Sequence, residues 1–346
     1  MRPLKRWGRS ARTGTVSRSD LRGARSSVLV TLICMTAVRA GAQPLPAADY
    51  HQHLLSPVIA GLLSAETESS QQSVLASDVI AQLDAAGIRR AAVMSVAYLY
   101  GSPSRVVDDE YAKVRAENDW TSAQIAQYSD RLLGFCSVNP LKAYALDEIA
   151  RCSRDPNLHF GIKLHFGNSG VRLDEAEHVE QLRRVFRAAN RRGMAIVVDL
   201  QSHDATALSG DIGQARALLE QLLPEAPDVP IQLAHIASGL ADTDPAADSA
   251  FAFLASAVAA HDSRVAHVWF DATSLVSATL SPTEAAHRIR QLGVDRIVFG
   301  SDLLNADESL CMQWSAFLRL PLTADEFRTI ATNVVPYMPR LSRLTI

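Results

Sequence analysis

From residue 47 onward, short apolar or β-branched runs alternate with longer amphipathic stretches, eight times in succession. Each pair reads as a strand followed by a helix, and strands separated by helix-length connections pair in parallel. The eight strand candidates are residues 47–54, 91–98, 131–139, 160–166, 194–200, 230–236, 265–271 and 296–303. Eight such units close into a (β/α)8 TIM barrel, which needs only about 250 residues. A chain of 346 residues therefore does not demand a second domain. An open doubly wound sheet is the competing arrangement, but no glycine-rich phosphate loop follows the first strand. Hydrophobic residues at 48% and charged residues at 21% are ordinary for a globular protein and leave ample material for a core, so disorder is not the default expectation.

The intervening helices carry their own signals. Residues 77–86 begin with Ser77, a candidate cap, and stop before Gly87. Residues 178–192 place Val179, Leu182, Val185, Phe186 and Ala189 on one face and precede Gly193. Residues 324–345 read as a closing helix packed outside the barrel.

The first 42 residues differ in kind. They hold nine Lys and Arg against one acid, Asp20, then an apolar run of 11 residues from Val28 to Val38, then Ala40-Gly41-Ala42. A basic segment, a short apolar segment and small residues are the pattern of a cleaved signal peptide, and a membrane anchor would need about 20 apolar residues. The expectation is export to the periplasm or the exterior, with residues 43–346 as one mature domain. The whole chain has 34 basic and 37 acidic residues; the mature part keeps 25 and 36, a net charge of −11. An acidic domain argues against nucleic acid or an anionic membrane as partner and leaves a small-molecule substrate. Nothing in the sequence decides between a monomer and a homo-oligomer. Cys136, Cys152 and Cys311 are too few for a disulfide framework, and sequence does not pair the single bridge they allow.

Barrel active sites form at the carboxyl ends of the strands, so polar residues late in a strand carry the chemistry. The first strand contains His51-Gln52-His53, whose two imidazoles point to one face and can share a zinc ion at about 2 Å. The fourth ends Gly161-Ile162-Lys163-Leu164-His165, with a lysine that inside a barrel needs a carboxylate, a metal or carbamylation. The sixth ends Ala234-His235 and the eighth Gly300-Ser301-Asp302. Singly, these residues are more often core histidines, a rim lysine or a helix cap; four strand ends with metal-type ligands in one barrel argue for a site.

Those four motifs, in this order and spacing, resemble the amidohydrolase superfamily, and within it the branch of zinc-dependent decarboxylases, lactonases and other small-acid hydrolases. The resemblance implies that His51, His53 and Asp302 bind a divalent metal, most readily zinc, as one ion or two. It gives Asp302 the further role of general base. It implies that His235 ligates a second metal or polarises the substrate carbonyl, and that Lys163 stands where some relatives carry a bridging carbamate. One match fails. The fifth strand of relatives ends in a histidine ligand, whereas here Ile196-Val197-Val198-Asp199 ends in a carboxylate. Either Asp199 ligates directly, which its strand position favours, or His203 folds back, or the metal site is lost.

The function these expectations describe is a metal-dependent hydrolase, in which water activated by the metal attacks an ester, lactone or amide carbonyl. The alternatives are a non-oxidative zinc-dependent decarboxylase of an aromatic or unsaturated acid, and an exported binding protein with a degenerate site. Tyr98, Tyr100, Asn168, Arg172 and Asn305 follow strand ends and are candidate pocket residues. Residues 201–213, rich in small side chains, are a candidate lid.

Overall fold

The computed structural model describes residues 44–67, 70–200, 212–237, 245–273, 281–305 and 308–339, all within the compact unit Gln43–Ile346. The basic leader, His203 and nearly all of the candidate lid lie outside the described residues.

Eight parallel strands form one sheet in sequence order: β1 Asp49–His53, β2 Ala91–Met94, β3 Leu132–Ser137, β4 Gly161–His165, β5 Ala195–Asp199, β6 Ile231–Leu233, β7 Val268–Asp271 and β8 Ile297–Val298. The ring closes between β8 and β1, where Tyr50 N–H donates to Phe299 O at 2.9 Å and Asp302 N–H donates to His51 O at 2.8 Å. The fold is the (β/α)8 barrel. Its strands are buried on both faces, against the barrel interior and against the helices, which is why they read as apolar runs rather than alternating ones. The helix Ala176–Asn190 buries Val179, Leu182, Val185, Phe186 and Ala189, the face that the spacing predicts. Among the described residues, no helix is long and apolar enough to cross a membrane.

Several boundaries differ from the sequence expectation for identifiable reasons. β6 and β8 stop short of His235 and Asp302, because His235, Ile236 and Asp302 have φ of 55°, 49° and 54° and a left-handed residue breaks the pleat. The helix at 76–86 is not capped by Ser77. It starts at Ala76, and Asp78 Oδ2 accepts the N–H of Leu75 at 2.9 Å; Gly87, at φ 70°, ends it as expected. The closing helix spans only Ala324–Thr332. Pro336 disfavours helical geometry at Val335, and the chain turns instead into the floor of the barrel. There Val335 and Met338 join a cluster with Ala48, Ala92, Leu133 and Ala195 from the strand beginnings. The Tyr337 ring lies 4.9 Å from Phe135 and 6.1 Å from Tyr50. Cys136 on β3 and Cys152 at the end of the helix Ala145–Cys152 form a disulfide, with Cα atoms 6.1 Å apart.

Candidate metal centre

Three ligand-type residues converge at the carboxyl ends of β1 and β8. The ligand atoms of His51, His53 and Asp302 all lie within 4.8 Å of one another. His53 Nε2 is 3.4 Å and His51 Nε2 3.8 Å from Asp302 Oδ1. Two ligands at about 2.0–2.2 Å from one tetrahedral ion stand about 3.4 Å apart, so these separations suit a shared metal.

The hydrogen bonds behind the histidines determine which nitrogen is offered. His51 Nδ1–H donates to Asp271 Oδ2 at 3.0 Å, and His53 Nδ1–H donates to Met94 O at 2.9 Å. Each ring thus carries its proton on Nδ1, and both Nε2 lone pairs turn toward Asp302. Burial lowers the His51 pKa, and the neighbouring Lys163 lowers it further, which keeps the imidazole neutral as a ligand must be. Burial opposes charge on Asp302, but the positive charge on the histidine side of the site, the His235 imidazolium 4.0 Å away in particular, outweighs it and holds the carboxyl far below its ordinary range. The donor set, two neutral imidazoles and an ionised carboxylate, fits a divalent cation.

Asp271 is the residue that sequence reasoning missed. It is wholly buried at the end of β7, and both oxygens are used. Oδ2 accepts from His51 and from Gln232 Nε2 at 2.7 Å; Oδ1 accepts from the His235 N–H at 2.9 Å and from Thr273 Oγ1–H at 2.6 Å. Gln232 in turn accepts the Tyr337 hydroxyl at 2.5 Å, which ties the metal-side carboxylate to the barrel floor. Burial again works against charge on Asp271, and His51 with His235 reverses it, so its pKa also falls well below the usual carboxylate range.

The other three candidates stand beside the ligand cluster. Asp199 Oδ2 is 3.2 Å from His235 Nε2, 3.6 Å from His165 Nε2 and 3.9 Å from Lys163 Nζ. Those three groups overcome the burial that would raise the Asp199 pKa and drive it well down instead. Lys163, almost fully buried, also places Nζ 2.9 Å from His51 Nε2. For His235 the geometry specifies charge. Thr273 spends its one hydroxyl hydrogen on Asp271, so it accepts from His235 Nδ1–H at 2.7 Å; the ionised Asp199 can only accept from Nε2. Both ring nitrogens therefore carry hydrogen. Burial opposes this imidazolium, but Asp199, Asp302 and Asp271 prevail and push its pKa up to about 9. His165 differs: its Nδ1 accepts the Asn168 N–H at 3.2 Å, which leaves Nε2–H toward Asp199.

Local backbone serves this crowding. A Cβ on Gly300 would lie 2.6 Å from His51 Cβ and 2.6 Å from Thr273 Cγ2, so only glycine lets β8 approach the ligand this closely. Next to it, Ser301 N–H and Oγ–H both donate to the buried Asp49, at 3.0 and 2.5 Å, and pin the end of β8 to β1. Of the predicted pocket residues, Tyr98 lies 5.1 Å ring to ring from His165, and Asn168 meets His165 through its backbone. Arg172 is instead exposed and paired with Asp174, and Asn305 binds Glu308 and Gln71 at the surface.

The sequence matches no curated protein. Among solved structures it resembles 5-carboxyvanillate decarboxylase LigW from Sphingomonas paucimobilis, at 13% identity and a TM-score of 0.59, over 83% of this chain and 97% of that one. It also resembles a 5-carboxyvanillate decarboxylase from Novosphingobium aromaticivorans with bound manganese, at 14% identity and a TM-score of 0.58, over 84% and 96%. A probable 2-pyrone-4,6-dicarboxylic acid hydrolase from Acinetobacter baumannii, with citric acid bound, aligns at 17% identity and a TM-score of 0.54, over 83% and 96%. At these identities the likeness speaks for the barrel alone. The amidohydrolase family model, however, matches residues 48–333, nearly the whole described barrel, and the chain belongs to the amidohydrolase family.

Proposed function

We propose that this amidohydrolase family enzyme hydrolyses a carbonyl of a small organic substrate, an ester, lactone or amide, at a divalent ion held by His51, His53 and Asp302. The observation that carries the reading is the pairing of Nδ1 donors to Asp271 and Met94, which leaves two Nε2 atoms facing one ionised carboxylate. Such an ion supplies Lewis acidity, polarising a carbonyl oxygen and acidifying water. Asp302, kept ionised beside the His235 imidazolium, takes the proton of the attacking water. The His235 imidazolium, held by Asp199 and Thr273, donates a hydrogen bond to the carbonyl oxygen as charge grows there. Lys163, lying between His51 and Asp199, orients an anionic end of the substrate. Asp199 acts as the counter-charge for His235 and Lys163 rather than as a ligand, which gives the departure from histidine on β5 a purpose. Zinc suits the nitrogen-rich donor set.

A second reading, decarboxylation, is favoured by the same imidazolium, since a proton must be delivered to the carbon that loses carbon dioxide. Two of the structural relatives are decarboxylases. Turnover in 18O-labelled water separates the two. Label in a newly formed product carboxyl marks hydrolysis, whereas release of carbon dioxide with solvent hydrogen on the product carbon marks decarboxylation. Metal analysis of the purified protein beside His51→Ala and His53→Ala comes first: about one equivalent in the parent and its loss in the variants is expected, and a metal-free parent that takes up none overturns the proposal. Export of the chain is part of the same proposal, supported by the basic leader and by the Cys136–Cys152 disulfide, a bond that persists in oxidising compartments. Amino-terminal sequencing of the secreted fraction tests it.

A further inference from the structure

A cavity of about 830 Å³ is lined by segments that follow the carboxyl ends of β1 and β2. Ser56 and Pro57, which follow β1, border it, as do Tyr100 from the turn Ala97–Gly101 after β2 and, on the helix Glu110–Ala126, residues from Lys113 to Trp120. That turn carries Tyr98, whose ring lies 5.1 Å from His165, and Tyr100, which lines the cavity. The walls are mainly apolar, from Pro57, Leu62, Val107 and Trp120, with the exposed Val58 and Val106 at the rim. The charged Asp108 and Lys113 stay exposed at the opening and are of opposite sign.

Beside Ser56 and Tyr100, the lining includes one buried carboxyl group, Glu117, whose residue surface is 3% exposed. Ser56 Oγ–H donates to Glu117 Oε2 at 2.6 Å, while Ser56 Oγ accepts the Ile59 N–H at 3.1 Å, so the hydroxyl has no hydrogen left to give. Glu117 Oε1 is buried with no hydrogen-bond partner. Buried carboxyl oxygens are almost always satisfied, and the exceptions call for a ligand or a function. Its size lies within the range of small-molecule sites, which combine apolar walls with a few placed polar groups.

We propose that this cavity binds an uncharged, mainly apolar small molecule carrying one hydroxyl or N–H, whose hydrogen is donated to Glu117 Oε1. A charged ligand would have to be desolvated among Leu62, Val107 and Trp120, and a purely apolar one would leave Oε1 bare. The inference does not rest on the proposed reaction, because none of these residues belongs to the metal cluster.

The test is titration of the full protein with 4-ethylphenol and with ethylbenzene, followed by ligand-observed NMR and by tryptophan fluorescence. Saturable binding with about a tenfold preference for the phenol is expected, the effect of one hydrogen bond to a buried carboxyl. In Glu117→Leu the preference should fall to within about twofold. In His53→Ala both affinities should be unchanged, which places the ligand outside the metal centre. Val58→Arg, at an exposed rim position, should block both ligands, and it decides the matter if Glu117→Leu does not fold. Absence of saturable phenol binding up to about 1 mM overturns the inference. So does a preference that survives Glu117→Leu, binding lost in His53→Ala, or binding retained in Val58→Arg.

Discussion

Replacing Asp271 by Asn removes one charge and two hydrogens' worth of acceptance from the centre of the site while leaving its shape almost untouched. In the native protein donors converge on both oxygens of the carboxylate: His51 Nδ1–H and Gln232 Nε2–H on Oδ2, and the His235 N–H, the Thr273 hydroxyl and, at 3.4 Å, the Thr273 N–H on Oδ1. An amide has one oxygen, so one pair of donors must face an NH2 group. If that pair is His51 and Gln232, the amide donates to His51 Nδ1 and drives the ring proton to Nε2, the nitrogen offered to the metal. If it is Thr273 and His235, the hydroxyl can rotate, but the buried His235 N–H loses its acceptor. Leaving one such group unpaired costs about 1–3 kcal/mol. Loss of the charge behind His51 also lowers its basicity, and second-layer partners of metal-ligating histidines are typically worth about 10–100-fold in metal affinity, or about 1.4–2.7 kcal/mol. Asp271→Asn should therefore bind zinc about 10–100-fold more weakly by competition with a chromogenic chelator, and lose about 1–3 kcal/mol in urea unfolding of the metal-free protein. A natively folded variant whose metal affinity stays within about threefold of the parent would refute the argument that Asp271 sets the His51 tautomer.

Three further outcomes follow from the same geometry. In the metal-free protein, His235 has a folded pKa of about 9 against an ordinary 6.5, so the stability it contributes is fully present below about pH 6.5 and is lost as the pH rises through about 9; NMR titration of the ring should show that midpoint, and Asp199→Asn should move it down by about a unit or more, whereas an unmoved midpoint counts against Asp199 as its counter-charge. The Cys136–Cys152 bridge closes a loop of 16 residues in separation, so Cys136→Ser with Cys152→Ser should cost about 3 kcal/mol, read as a lower urea midpoint that reductant no longer shifts. Gly300→Ala would bring its methyl group to 2.6 Å from both His51 Cβ and Thr273 Cγ2, and should cost about 1–3 kcal/mol from overpacking together with a measurable loss of metal affinity; unchanged metal binding would show that β8 can back away from His51 without harm.

What the sequence made legible was whatever repeats locally. The barrel was readable because strands enclosed on both faces are apolar throughout, and because helices such as Ala176–Asn190 show their buried face within four turns. His51 and His53 were readable because a strand sends alternate residues to one side. The ends of β6 and β8 were not, because the left-handed backbone of His235 and Asp302 is imposed by what they must reach: Asp302 N–H closes the ring on His51 O, and His235 N–H meets Asp271. Non-glycine residues in that conformation are costly and persist where the surrounding structure overdetermines them, and here two of them are the proposed acid and base. The closing helix failed for a local reason, Pro336, whose effect on Val335 could have been read from the sequence alone.

Asp271 is the instructive omission. It ends β7 after Val268-Trp269-Phe270, the position from which the other strand-end candidates were drawn, so the rule applied to it as fully as to Asp302. It went unread because a carboxylate after an apolar strand is equally a turn residue, and only its partners settle the matter. Those partners are 220 positions away in His51 and 39 away in Gln232, brought together by closure of the barrel. Two ligands on one strand advertise themselves by spacing. The group that decides which nitrogen a ligand offers reaches it from across the barrel, and a linear pattern carries no trace of that. In a barrel with one recognisable His-x-His strand, the orienting acid is therefore best sought among the carboxylates that end the other strands, by asking which of them is wholly buried with donors on both oxygens.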